Sequence, residues 1–149
     1  MVGMYREWGW LPKWELYGRE TFTMEGDPSI PVIVDTWMKG LRDFDMDAAY
    51  EAMRKSATTP GARNRMRPDI DPYIEKGYVP LGFYARDLSG DNSVSHALEY
   101  YIADHALSLL ADSLGKKDDA ALFRARSLGY KNYYSCLLYT SPSPRDVEE

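Results

Sequence analysis

Cysteine is nearly absent from this chain: 149 residues hold a single one, Cys136, together with only two histidines. One thiol cannot close an intramolecular disulfide, and neither a thiolate nucleophile nor a redox compartment can be argued from it. Long apolar runs are missing too. The longest, Ile30 to Val34, is interrupted by Pro31 and falls far short of the roughly 20 residues a bilayer span needs. Positive charge is in deficit, with 18 Lys and Arg against 23 Asp and Glu for a formal charge of -5. That balance implies no general phosphate-binding surface, and no nucleic-acid partner is expected. Nor does Met1, followed by Tyr5, Arg6, Glu7 and Trp8, begin the basic segment and apolar stretch of a secretory leader. What is present, 44% hydrophobic residues, suits one modest domain or a piece of a larger one.

The last stretch stands apart. Cys136-Leu137-Leu138-Tyr139-Thr140-Ser141-Pro142-Ser143-Pro144-Arg145-Asp146 resembles a sequencing-library transposase adapter read through into the open reading frame; the alternative is a natural Pro/Ser-rich tail. Residues 136–149 are therefore excluded from fold reasoning, and residues 1–135 are expected to form one partial helical domain truncated at both ends.

Within that portion the periodicity is helical. Met1 to Trp8 ends at Gly9, as a helix closed by a C-terminal glycine does. Residues 8–28 combine three Trp, three Gly and two Pro, a mixture that defeats any regular period, and so long an ordered loop is usually functional. Asp27-Pro28-Ser29 predicts a helix start, with Ile33, Val34, Trp37, Met38 and Leu41 as its apolar stripe. Asp45 to Asp47 can cap a second helix reaching about Ala57, with Ala49, Tyr50, Met53 and Ala57 on one face. Residues 60–92 read as a long connection containing one helical turn near Tyr73 to Lys76, bounded by Ser89-Gly90-Asp91. A strong helix is predicted from about Ser93 to Leu114, capped by Asn92 or Ser93, with Val94, Leu98, Tyr101, Ile102, His105, Leu109 and Leu110 on its apolar side. Asp118 can cap a final helix burying Ala121, Leu122, Ala125, Leu128 and later Tyr133. The class is all-α: antiparallel helix pairs with unequal loops, as in an α/α toroid, a bundle or a solenoid. No fixed-period repeat favours the solenoid, although the pair at 96–131 echoes one tetratricopeptide unit.

Carboxylates are the candidates for chemistry. Glu99 falls near the second turn of the long helix beside Tyr100 and Tyr101. Spacing alone makes it a solvent-facing residue favoured by the helix dipole. A proton donor must keep its proton, so an acid here needs burial to outweigh that dipole. His96 and Glu99 share a helical face, but a pair lacks the remaining ligands of a metal site and reads as a surface ion pair. His105 is expected in the core and Asp104 in solvent. Trp10 and Trp14 offer flat faces to sugar rings, with Glu20 and Asp27 as carboxylates for hydroxyls; Trp37, on a helical stripe, reads as core. Arg63, Arg65 and Arg67, balanced by Asp69, Asp71 and Glu75, read as a salt-bridged surface.

Several motifs recur together in a known order. Gly9-Trp10-Leu11-Pro12-Lys13-Trp14, Gly18-Arg19-Glu20-Thr21 with Met24 and Gly26, Pro31-Val32-Ile33 with Asp35, and Lys39-Gly40 are followed by Gly77-Tyr78-Val79-Pro80. Ser93-Val94-Ser95 with Leu98-Glu99-Tyr100 and Asp104, Leu114-Gly115-Lys116, Arg126-Ser127 and Tyr130-Lys131-Asn132 complete the set. This ordered set resembles the catalytic domain of glycoside hydrolase family 92. The resemblance implies a calcium-dependent, inverting exo-α-mannosidase acting on mannose-containing glycans, with a β-sandwich domain preceding an (α/α)6 toroid of which this chain would be a fragment. It implies an exported parent, periplasmic or cell-surface, in a glycan-consuming bacterium.

The same resemblance implies that Glu99, the glutamate of the Leu-Glu-Tyr motif, is the general acid. The family's general base lies in a Gly-Asn-Asp/Glu-Asp-Cys-Gly motif that nothing in residues 100–135 matches, Asp118-Asp119 included, so the fragment alone is expected to be inactive. The calcium ligands are not located among these residues. The alternatives are another toroidal glycan-active enzyme and a non-catalytic helical interaction domain, the latter leaving Glu99 exposed and dispensable. A partial toroid is also expected to fold marginally or aggregate, since its helices face missing neighbours.

Overall fold

The computed structural model describes residues 1–61, 63–83 and 92–133; Ser89-Gly90-Asp91 and the segment from Cys136 onward lie outside them. Helix α1, Val2–Trp8, is closed by Gly9 at φ 76°, the left-handed position that a residue without Cβ occupies at least cost. Helices α2, Ser29–Met38, and α3, Met46–Thr58, follow the aromatic loop. Pro31 sits in the first turn of α2, where no backbone N–H is needed. Asp45 caps α3 by accepting from the Ala48 N–H at 3.0 Å. Helix α4, Ile70–Lys76, ends at Gly77 in the left-handed region. Helices α5, Ser93–Ser113, and α6, Lys117–Ser127, form an antiparallel pair that runs into a 3-10 segment over Leu128–Tyr133.

The predominance of helix agrees with the all-α expectation. One exception is a two-stranded antiparallel ribbon within the aromatic loop: β1, Glu15–Leu16, pairs with β2, Arg19–Glu20. Its turn residues Tyr17 and Gly18 have φ of 51° and 72°, the sign a tight hairpin demands. Two-residue strands are too short to alternate visibly, and Tyr-Gly is not the usual turn pair, so periodicity misses the ribbon.

The larger core joins Ile30, Ile33 and Val34 of α2 to Ala49 and Met53 of α3, Ala103, Leu107 and Leu110 of α5 and Phe123 of α6, with Leu11 inserted from the aromatic loop. A second cluster gathers Tyr73, Val79, Ala97, Tyr100 and Tyr101. Helices α2 and α3 bury close to the predicted faces, except that Met38 and the following Leu41 are exposed.

The last two helices are turned relative to expectation. In α5 the expected Tyr101 and Leu110 are buried, together with His96, Ala97, Tyr100, Ala103, Asp104 and Leu107, while Val94, Ile102, His105 and Leu109 are exposed. In α6 Phe123 and Ser127 are buried, and Ala121, Leu122, Ala125 and the following Leu128 are exposed. Both helices carry apolar residues on more than one side, so a single best stripe does not identify the side that packs.

Candidate active site

The aromatic loop is organised around one carboxylate. Glu20, ending β2, accepts backbone N–H groups from Lys13 at 2.6 Å, Trp14 at 3.0 Å and Phe22 at 2.5 Å. Bonds to an ionised acceptor are about twice as strong as neutral ones, so this side chain ties the two arms of the loop together. Trp14 is thereby held at the surface, 50% exposed. Trp10 is half-buried with the Lys55 ammonium 4.6 Å from its ring centroid, a cation–π arrangement.

Beyond the ribbon the chain passes through three positive-φ residues, Phe22, Met24 and Gly26, and is fastened twice. Glu25 accepts from the Asn92 side-chain amide at 2.7 Å. Asp27, 1% exposed, accepts from Ser56 Oγ at 2.5 Å and Arg67 Nε at 3.1 Å.

Arg67 is the centre of a buried charge network. Its Nη1 donates to Asp104 Oδ1 at 2.7 Å. The other Asp104 oxygen accepts from Tyr73 Oη at 2.9 Å and lies 3.0 Å from Arg126 Nε. Asp69 forms a neighbouring group, accepting from Tyr100 Oη at 2.5 Å and standing 2.9 Å from His96 Nδ1. The Arg67 guanidinium is 5.0 Å from the Tyr100 ring centroid. Burial works against the Arg67 charge, yet Asp104 and Asp27 more than reverse it and hold the guanidinium above its ordinary pKa. Tyr73 and Tyr100 are pushed up, first by burial and then by Asp104 and Asp69 respectively. Lys13, whose ammonium donates to the Met66 carbonyl at 2.8 Å, is pulled down by burial despite nearby Asp27, Asp69 and Glu20.

This network corrects several sequence expectations. Arg67 and Asp69 belong to the interior rather than to a salt-bridged surface, and Asp104 is fully buried. His96 pairs with Asp69 rather than with Glu99, and His105, expected in the core, is exposed beside Arg124. A buried ion pair has no periodic signature, so sequence pattern does not reveal these residues; the Arg67-Pro68-Asp69 step is the local hint of a constrained backbone.

Glu99 stands one residue before Tyr100 and is exposed. Its stem lies on the loop backbone: a Cβ on Gly26 would come within 2.6 Å of Glu99 Cβ and 3.1 Å of Glu99 Oε2. The structure thus brings Glu99 to the Gly26 end of the aromatic loop, places Asp27 in the core, and leaves Glu20 and Trp14 at the ribbon and Trp10 against Lys55. Among the described residues no group of three or more His, Cys, Asp or Glu is arranged to hold a metal ion. Asp104 and Asp69 are bonded to arginine, tyrosine and histidine, so the described residues do not fit the oxygen-rich shell of a calcium ion. No described helix is long and apolar enough to cross a membrane.

The sequence profile of the glycosyl hydrolase family 92 catalytic domain matches residues 1–138. The chain belongs to glycosyl hydrolase family 92. Among solved structures it is similar to a family 92 inverting mannosidase from Bacteroides thetaiotaomicron, with 31% identity and a TM-score of 0.77 over 90% of this chain and 18% of that one. It is also similar to a family 92 α-mannosidase from the same organism in complex with mannoimidazole, with 33% identity and a TM-score of 0.73 over 88% of this chain and 16% of that one. A curated relative described as an uncharacterized secreted glycosidase, from Arthroderma benhamiae, is 29% identical over 90% of this chain. The family 92 chain spans 18% of that relative's length.

Proposed function

We propose that this chain is part of an inverting exo-α-mannosidase that removes terminal α-linked mannose from glycans, with Glu99 as its general acid. The observation that carries the reading is the seating of Glu99 against the backbone of a Trp-rich loop in a family 92 chain. Glu99 is exposed among the described residues, so the burial a general acid needs here is assigned to parts of the enzyme beyond them. Solved relatives described as mannosidases, one inverting and one bound to mannoimidazole, support this choice of substrate class and stereochemistry.

Glu99 would give its proton to the glycosidic oxygen as the bond to the anomeric carbon breaks. Inversion then requires a second carboxylate roughly 6.5–9.5 Å away to activate water on the opposite face of the sugar. Residues 100–133 carry no counterpart of the Gly-Asn-Asp/Glu-Asp-Cys-Gly motif, so we assign the base to another part of the enzyme. Calcium, implied by the family, would likewise take its ligands from elsewhere. Trp10 and Trp14 are assigned as platforms for sugar rings. Glu20 and Asp27, whose bonded oxygens face the protein's own donors, are assigned to hold the loop that presents them. Export of the parent accords with a relative described as secreted.

Exposure of Glu99 is also what a non-catalytic interaction domain expects, so activity must separate the two readings. The test is mannose release from a panel of α-mannobiosides by the full-length enzyme, with calcium and with chelator, for the native protein and Glu99→Gln. Removing a general acid is expected to lower kcat by about 10²–10⁴-fold, and an aryl mannoside whose leaving group needs no proton should lose far less. Unchanged mannobioside hydrolysis in Glu99→Gln would sink the assignment.

A further inference from the structure

We infer that Gly26 is a positioning residue for Glu99: the missing side chain at position 26 lets the loop backbone serve as the seat on which the acid's stem rests. The inference rests on the reading of Glu99 as the acid. Gly26 is buried with φ of 82°, a conformation that residues with a Cβ rarely adopt. A Cβ built there meets Glu99 Cβ at 2.6 Å, Cγ at 3.0 Å and Oε2 at 3.1 Å. The closest of these distances is too short for any real pair of carbons, so one partner must move.

The loop is the partner less able to yield. On one side of Gly26, Glu25 is bonded to Asn92 at the N-cap of α5, the helix that carries Glu99. On the other side, Asp27 is locked into the core by Ser56 and Arg67. Shifting the backbone between these anchors would pull apart a buried ion pair and leave uncompensated charge inside. Glu99 Cβ is fixed by the α5 backbone, so rotating the side chain relieves the contacts at Cγ and Oε2 but not the one at 2.6 Å, and α5 must draw back from the loop and carry Glu99 with it. Because Oε2 is among the atoms met, the displacement reaches the proton-carrying end of the residue. A shift near 1 Å at a reacting group can cost about 10²-fold in rate.

The experiment compares Gly26→Ala with Glu99→Gln and Gly115→Ala in the full-length enzyme. Gly115, between α5 and α6, has φ of 74° but nothing within 4 Å of an added Cβ, so it reports backbone strain without the contact. Two substrates are used: a mannobioside, whose departing oxygen needs a proton, and an activated aryl mannoside, which does not. The expected result is that Gly26→Ala lowers kcat on the mannobioside by about 10-fold to 10²-fold with KM nearly unchanged, while the aryl mannoside is turned over almost as by the native enzyme. Equal loss on both substrates, or a mannobioside rate like that of Gly115→Ala, overturns the inference. If Gly26→Ala does not fold, Glu25→Ala loosens the same seat without adding atoms and should shift the two substrates in the same unequal way; indifference there overturns it as well. Failure of the underlying reading looks different, because Glu99→Gln would then leave mannobioside hydrolysis intact.

Discussion

At the scale of single residues the most consequential group is Arg67, which has no exposure and is bonded to two aspartates that have almost none. Such a network adds little stability compared with an apolar core, but removing its centre leaves uncompensated charge inside. Arg67→Met should therefore cost about 3–5 kcal/mol in denaturant unfolding, and a loss below about 1 kcal/mol would mean the aspartates are solvated instead. The tyrosines provide a second expectation. Tyr5, Tyr50, Tyr73, Tyr100, Tyr101 and Tyr133 all hold their phenol protons more firmly in the folded chain, burial being the leading cause. The folded state then binds more protons than the unfolded one above the ordinary tyrosine pKa of 10.0. Stability should be complete below that pH and fall as pH rises beyond it. Lys13 and Arg126, lowered by burial, act in the opposite sense but are fewer. Melting temperatures taken between about pH 9 and 11 should decline, and less steeply in Tyr100→Phe.

Among elements, helix ends were the most legible features. Gly9 and the Asp45 cap stood out because capping uses local hydrogen bonds and local dihedral angles. Asp45→Ala should cost about 1 kcal/mol by removing the bond to the Ala48 N–H, readable as a lower denaturant midpoint at constant m-value. Packing between elements left no such trace. Gly129, in the 3-10 segment after α6, lies so close to α4's end that an added Cβ would stand 2.6 Å from Tyr101 Cε1 and 2.8 Å from the Gly77 carbonyl oxygen. A backbone oxygen cannot turn aside as a side chain can, so Gly129→Ala should cost about 1–3 kcal/mol; a neutral outcome would show that the 3-10 segment sits farther from Gly77. Glycine at 129 is unremarkable in sequence because its neighbour across the contact lies far away along the chain.

For the whole molecule, the salient feature is an exposed apolar face among the described residues. Leu98, Ile102, Leu128 and Tyr130 line a groove of about 590 Å³ between α5 and the segment after α6, and Leu109 and Leu122 nearby are 45% and 44% exposed. Clustered exposed apolar side chains fit a surface covered by further protein, and the chain spans 18% of a curated relative. Ile102→Lys should therefore make residues 1–133 more soluble while costing the full-length enzyme about 1–3 kcal/mol; a gain in both settings would show the face to be solvent-exposed in the parent as well. This face also explains which parts of the protein could be read without coordinates. Helix positions, the Gly9 and Asp45 helix ends, the aromatic loop and the ordered family motifs around Glu99 depend on residues close in sequence, where periodicity and turn chemistry act, and are legible in the sequence by itself. The expected Asp118 cap instead lies inside the first turn of α6, after Lys116, and Asn92 precedes α5 without a side-chain cap bond. The buried sides of α5 and α6, the interior place of Arg67, Asp69, His96 and Asp104, and the seat of Glu99 on Gly26 were decided only by tertiary structure. Each depends on groups remote in the chain: Asp27 and Arg67 stand 40 residues apart, and no local rule states whether a charge will find its countercharge inside or meet water.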